Sequence, residues 1–460
     1  MSAQTAVSDH PEVAEFLRQY PQVRAVDLLV PDVNGVLRGK RVDVGTLDKC
    51  YQDGVNLPGS LFGADITGDT AEETGLGFEI GDADQICYPV PGTLEFVPWH
   101  SRPMGQLMLS MYTMDGSPYF ADPRHVLARV LERFKRELGL TPVVAVEMEF
   151  YLIDKRRVAG GAPQPPLSPV TGERERNTQV YGMSEVDDYS EFLADIGEYC
   201  AIQGIPAETA VAEYAPGQYE VNLHHEADPL SACAHAILLK RVIKNVAQKH
   251  GMEATFMAKP YDDNAGSGTH VHVSLVDESG RNVFADGSEL GSDVLRHAIG
   301  GLMVTMEESM ALFAPNANSY RRFRLHSFVP LCPAWAFNNR TTALRIPAGA
   351  DHAKRVEHRV AGADVNPYLL AATVLAGMHH GIVNKVDPGK PVEGNAYEQF
   401  EPCLPNTWLS ALQALEAAAV IPEYLGRDFL KVYLANKYFE REKFNYHVSP
   451  LEHEWYLLTV

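Results

Sequence analysis

Two glutamates one residue apart, Glu147 and Glu149 in VAVEMEFYL (144–152), are where the chain first suggests chemistry. Valine, phenylalanine and tyrosine are frequent in this stretch, and it reads as a strand of period two. Alternation sets Val146, Met148 and Phe150 on one face and both glutamates on the other. Two carboxylates on one face of a core strand, with no basic residue between them, repel each other and resist burial, so a cation belongs beside them. A strand with one solvated face would explain an isolated E-x-E equally well.

Four more strand-like pieces repeat the arrangement. In GQYEVNL (217–223), Glu220 shares a face with Gln218 and Asn222; Glu213 lies upstream, across a Pro-Gly turn that can bring the two glutamates together. In GTHVHVSL (268–275), His270, His272 and Ser274 oppose Val271, Val273 and Leu275. Arg345 opposes Leu344 and Ile346 in TALRIP (342–347), and Glu357 shares a face with Arg359 in VEHRV (356–360). Each piece alone is explained by a hydrogen-bonded histidine or a surface ion pair. One sheet closing around a polar cavity explains all five together. Five glutamates (147, 149, 213, 220, 357) and His270 form an oxygen-rich set that suits Mg²⁺ or Mn²⁺ better than zinc. Arginines 321, 322, 340, 345 and 359 beside such metals point to phosphoryl transfer from a nucleotide. No G-x-x-x-x-G-K-[ST] occurs, so a P-loop is excluded.

The elements that must position these residues follow from local signals. Residues 9–20 read as a helix and 23–30 as a strand, returning through Asn34-Gly35 as a hairpin. A Gly- and acid-rich loop (57–75) and a strand at 106–114 close a mostly β region. Asp122-Pro123 starts a helix to about Leu138, which places a domain boundary near residue 116 and divides the chain into 1–116 and 117–460. Further helices are expected at 189–204, from Asp228-Pro229 to Gly251, at 292–313, and from Asn366-Pro367 to Lys385; a Pro/Gly-rich loop occupies 159–172. Helices alternating with strands give an α+β or α/β layout.

The totals fit this reading. Of 460 residues, 45% are apolar and 22% charged, as in an ordinary soluble protein large enough for two domains. A net charge of −21 disfavours nucleic-acid binding, and no apolar run is long enough for a membrane span. Six scattered cysteines and an N-terminus without signal-peptide character imply reduced thiols and a cytoplasmic location.

The ordered set E-M-E, E-x-x-P-G-Q-x-E, G-S-G-x-H-x-H-x-S, N-S-Y-x-R, N-R-x-x-x-x-R-I-P and E-x-R resembles the bacterial class I glutamine synthetases over nearly the whole chain. The resemblance implies an α+β protein with an N-terminal β-grasp domain and a catalytic domain whose curved antiparallel sheet forms half a funnel flanked by helices. It implies homo-oligomeric rings, hexamers or dodecamers, with the neighbouring subunit completing each site. Glu149, Glu213 and Glu220 would hold one metal, and Glu147, His270 and Glu357 the other. Glu149, Arg322, Arg359 and the Gly266 backbone would hold glutamate, and Arg340 the transferring phosphoryl group. Arg340, Arg345, Arg355, His272 and Ser274 would serve ATP. The implied reaction is attack of glutamate's γ-carboxylate on ATP, then aminolysis of the γ-glutamyl phosphate.

The chain departs from that family at the amine site. Family members carry D-G-S-S and a flap glutamate; here stand Leu57-Pro58-Gly59-Ser60 and Phe328, with Ala265 replacing an asparagine. Losing both carboxylates removes the attraction for ammonium and leaves an apolar wall suited to an organic amine. This resembles the γ-glutamylpolyamine (γ-glutamylputrescine) synthetase branch, with Asp65, Asp69, Glu72 and Glu73 as candidate partners for a distal ammonium. The alternatives are an ammonium-using glutamine synthetase, a ligase for a monoamine such as ethanolamine, and an inactive structural homologue. The last would usually have lost metal ligands, yet all six positions are filled. Tyr397 in NAYEQ stands where the family may carry a modified tyrosine.

Overall fold

The computed structural model describes residues 10–158, 161–175 and 179–460. Its first sheet contains β1 (Ala25–Pro31), β2 (Leu37–Asp43), β3 (Val55–Pro58), β4 (Asp84–Pro89), β5 (Glu95–Val97) and β6 (Met104–Tyr112). The strand order is β2-β1-β6-β4-β3, with β5 also on β6 and the β1–β6 pair parallel. The expected hairpin is present: Pro31 pairs with Leu37, and Gly35 takes a φ of +74° in the turn. The loop expected at 57–75 begins in β3 and is then organised by short 3-10 turns at Gly59–Gly63 and Glu72–Thr74.

The second sheet contains β7 (Thr141–Asp154), β8 (Ala207–Ala212), β9 (Gln218–Leu223), β10 (Met252–Thr255), β11 (Thr269–Val276), β12 (Trp335–Phe337), β13 (Leu344–Ile346) and β14 (Val356–His358). Its order is β12-β13-β14-β11-β7-β9-β8, with β10 also on β7. The five chemistry-bearing segments are therefore consecutive strands of one sheet. The expected antiparallel pairing holds except at the edge, where β12 runs parallel to β13.

The period-two pattern fixes which way each strand faces. Val146, Met148, Phe150 and Leu152 are buried on the core side of β7. Burying each such side chain stabilises the fold by about 2 kcal/mol. A one-residue slip would turn all of them outward and drive the glutamates into the core, so register is strongly specified. The helix Pro229–Lys249 packs against β7, and the helices Asp293–Phe313 and Pro367–Asn384 pack on each other. They start at the residues the sequence marks: Asp228, Ser292 and Asn366 each accept a backbone N–H of the first turn, as Asp122 does for the helix Pro123–Arg133. That last helix stops short of Leu138, where a π-turn (Phe134–Leu138) takes over. Of the loop expected at 159–172, residues 159 and 160 lie outside the described residues.

The first sheet is tied to the rest by buried polar contacts. The Asn366 side chain donates to the Asp32 carbonyl (2.8 Å), and Arg241 pairs with Asp27 (2.8 Å). Lys437 and Glu440 pair at 2.8 Å, while Lys437 also donates to Asn34 Oδ1 and Glu440 accepts the Ile66 N–H. All six cysteines are free, and no helix among the described residues is long and apolar enough to cross a membrane.

Candidate active site

Glu147 lies at the centre of the polar face. Its Oε2 is 3.4 Å from His270 Nδ1, and its Oε1 is 2.7 Å from His272 Nε2. Arg355 Nε donates to His272 Nδ1 (3.1 Å), so that nitrogen accepts and Nε2 is the one close to Glu147. Two groupings have ligand atoms close enough to share a cation: Glu147 with Glu220 and His270, and Glu147 with His272 and Glu357. His272, expected to serve ATP, thus also lies among the possible metal ligands, because strand alternation puts it on the same face as His270.

The carboxylates load one another. Burial first, then Glu147, Glu149 and Glu213, push the Glu220 carboxyl up to about 9. Burial, followed chiefly by Glu149, raises Glu213 to about 7. For Glu147 burial acts upward, but hydrogen bonds from His270 and His272 outweigh it and hold the carboxyl below its ordinary range. Crowded carboxylates next to imidazole nitrogens form the donor set of a hard divalent cation. Binding such an ion requires Glu213 and Glu220 to ionise. Adding Mg²⁺ to metal-stripped protein at pH 7 should therefore release protons, and affinity should rise with pH up to about 9. Proton release measured in weakly buffered solution tests this; no release would mean that both groups are already ionised.

The opposite wall is cationic. Glu357 is buried between Arg359 Nη1 (2.5 Å) and Arg345 Nη1 (2.8 Å). Burial acts to raise its carboxyl, but Arg359, His270, His272 and Arg345 prevail and hold it at about 2. The buried Nε–H groups of Arg322, Arg345 and Arg359 have no partner among the described residues, which suits anionic ligands. Arg340 is exposed, near enough to Glu213 to lower its carboxyl slightly against the larger raising effects. Ser274 is half-buried on β11.

Arg322 threads a slot walled by glycines. A Cβ on Gly266 would lie 2.6 Å from Arg322 Cγ, and one on Gly362 would lie 3.3 Å from its Nη1 and 2.5 Å from Asp364 Oδ1. Arg322 Nη1 donates to the Val360 carbonyl (3.1 Å). Glu149 accepts the Gly268 N–H (2.7 Å) and the Gln218 side chain (3.2 Å), which also donates to the Gly266 carbonyl (3.1 Å). Gln218, a face-mate of Glu220 in the sequence, enters the site through its contacts with Glu149 and Gly266. Gly362 and Asp364 carried no local signal at all.

The residues expected around the amine are more scattered. Leu57 is buried in β3, and Phe328 is 57% exposed with a φ of +56°. Asp65 is fully buried and is not a free anion: it accepts from the Thr67 and Asp69 N–H groups and pairs with Lys443 (3.0 Å). Lys443 also pairs with Asp69, so the acidic loop has its own cation. Tyr397 donates its hydroxyl to the Val329 carbonyl (2.9 Å), fastening the segment after Phe328.

This fold and site define a glutamine-synthetase-type ligase. A family model described as the glutamine synthetase catalytic domain matches residues 120–456, and the chain belongs to the glutamine synthetase family. It is 44% identical over 446 residues to the γ-glutamylputrescine synthetase of Escherichia coli K12, covering 97% of this chain and 94% of that protein. It is 34% identical to a glutamate–isopropylamine ligase of Pseudomonas, covering 97% of each chain. With the γ-glutamylethanolamide synthetase of Streptomyces coelicolor identity is 33%, over 94% of this chain and 92% of that one. Among solved structures, GmaS in complex with ADP superposes with a TM-score of 0.84 at 27% identity, over 97% of this chain and 99% of that one.

Proposed function

We propose that this chain joins the γ-carboxylate of glutamate to a primary amine at the expense of ATP, and that the amine is putrescine or another polyamine. The observation that carries the reading is the single sheet face on which crowded carboxylates meet buried arginines with unpartnered N–H groups. The likeness to an E. coli γ-glutamylputrescine synthetase supports the choice of amine.

Glu147, Glu149, Glu213, Glu220, His270 and Glu357 would hold Mg²⁺ or Mn²⁺, with Glu147 shared and His272 alongside. The metals supply charge neutralisation for the ATP phosphates. Arg322, Arg359 and the Gly266 peptide hold the glutamate carboxylate. Arg345, Arg355, His272 and Ser274 orient ATP, and Arg340 meets the γ-phosphoryl group. Glutamate's γ-oxygen attacks the γ-phosphorus and ADP leaves. The amine nitrogen then attacks the acyl carbon, loses a proton and expels phosphate.

Leu57 and Phe328, standing where family carboxylates attract ammonium, line the path of the amine's carbon chain. Leu57 belongs to a neighbouring subunit's N-terminal domain (residues 1–116) in a hexamer or dodecamer. Glutamate-dependent phosphate release, run in parallel with ammonium, putrescine, spermidine, ethanolamine and an aromatic amine, tests the reading. Putrescine or spermidine should exceed ammonium by about a hundredfold. Turnover with ammonium alone would make the chain a glutamine synthetase. Preference for ethanolamine would make it a monoamine ligase.

A further inference from the structure

Lys240 lies on the helix Pro229–Lys249, and its Nζ donates to two main-chain carbonyls, Ala363 (2.7 Å) and Val365 (3.0 Å). No carboxylate stands within ion-pair distance of it among the described residues. Burial draws its ammonium below the ordinary lysine value, Lys244 on the next turn adds to the fall, and Asp364 opposes it. A cation taken from water for two peptide oxygens is a costly arrangement unless those peptides need fixing.

The peptides in question form the outer wall of the Arg322 slot. Gly362 N–H donates to the Phe313 carbonyl and Ala363 N–H to the Ser267 carbonyl, so the loop is joined to the Gly266–Gly268 turn. Asp364 Oδ2 accepts from Asn316 (2.7 Å) and Ser319 (2.6 Å), both at the 3-10 turn Ala317–Arg322 that carries Arg322. Lys240 grips the chain on both sides of Asp364, at Ala363 next to Gly362 and at Val365. Arg322 Nη1 donates to the Val360 carbonyl in the same segment (3.1 Å), two residues before Gly362, so movement of this loop would move the guanidinium.

We propose that Lys240 is a positioning residue for Arg322, fixing the slot that aims the guanidinium at the substrate carboxylate. This rests on Arg322 as the glutamate anchor, and the test separates the two claims. Glutamate and ADP affinities are measured by calorimetry on the Mg²⁺-loaded full-length protein for Lys240→Met, Lys240→Arg, Arg322→Met and the Lys240→Met/Arg322→Met double variant. Lys240→Met should weaken glutamate binding about tenfold or more while ADP stays within about twofold, because small misplacement of a positioning group is amplified. Lys240→Arg, which keeps donors for the carbonyls, should recover most of the loss. The double variant should bind glutamate no more weakly than Arg322→Met alone. Normal glutamate affinity in Lys240→Met beside a loss in Arg322→Met would overturn the inference and leave the anchor standing. Parallel loss of glutamate and ADP would reduce Lys240 to a structural tie. Unchanged glutamate affinity in Arg322→Met would overturn both claims. Should Lys240→Met fail to fold, Lys240→Gln, shorter and uncharged, carries the same comparison.

Discussion

Glu220→Gln should fold as well as the unaltered protein and yet lose glutamate-dependent ATP turnover by about a thousandfold. Loss of turnover follows from replacing a charged metal ligand by a neutral amide, since several kcal/mol of charge stabilisation is about three powers of ten in rate. Preserved folding follows from the raised carboxyl: near pH 7 the metal-free side chain already holds a proton, and glutamine copies that state. The sign of the pH effect checks the idea. An ordinary glutamate loses its proton near 4.5 when unfolded, but Glu220 keeps it to about 9 when folded. Its contribution to stability is therefore fully present below 4.5 and is lost as pH rises through the folded value. Melting of metal-free protein between pH 5 and 9 should show a decline that is shallower in Glu220→Gln, where Glu213 remains raised; parallel curves would mean that the Glu220 carboxyl is not raised.

Glu357→Ala should fail in the opposite way, losing both turnover and stability. Its carboxylate is 1% exposed and is the anion between Arg345 and Arg359, so removing it leaves the buried Arg359 and the half-buried Arg345 without their carboxylate. Breaking a buried pair from one side typically costs about 3–5 kcal/mol. Here the carboxyl is lowered, from 4.5 to about 2, so the stabilisation is present above 4.5 and disappears as pH falls through 2. Urea unfolding at pH 7 should separate the variant clearly from the parent, with the gap closing in strong acid. Equal midpoints at pH 7 would show that the arginines do not need this carboxylate.

Much of this site could be read from the sequence because strand alternation is a strict rule. Once Val146, Met148 and Phe150 are assigned to the core, Glu147 and Glu149 can face only the other way. The same holds for His270 and His272, and Asp-Pro and Asn-Pro pairs marked the helix starts that back the sheet. Alternation says which face a side chain takes but not how far it reaches. The reach of His272 to Glu147 is therefore not legible from its place on the strand. Asp65 looked like a free charge in an acidic loop, because its partner Lys443 lies 378 residues away. Lys240 sits in a helix where lysine usually means solvent, and nothing nearby announces the two carbonyls it holds.

The order of strands in the second sheet has a consequence for how the protein comes into being. Glu147 is on β7, His270 on β11 and Glu357 on β14, neighbours in space that are separated by long stretches of chain. Loop closure of that length is slow and brings little return until the last partner arrives. A nascent chain that has not yet made β14 therefore lacks the grouping of Glu147, His272 and Glu357, even when β7, β9 and β11 already bring Glu147, Glu220 and His270 together. Completion of the second cation grouping is thus a late event in biogenesis, and it marks the moment at which β14 has closed the catalytic sheet.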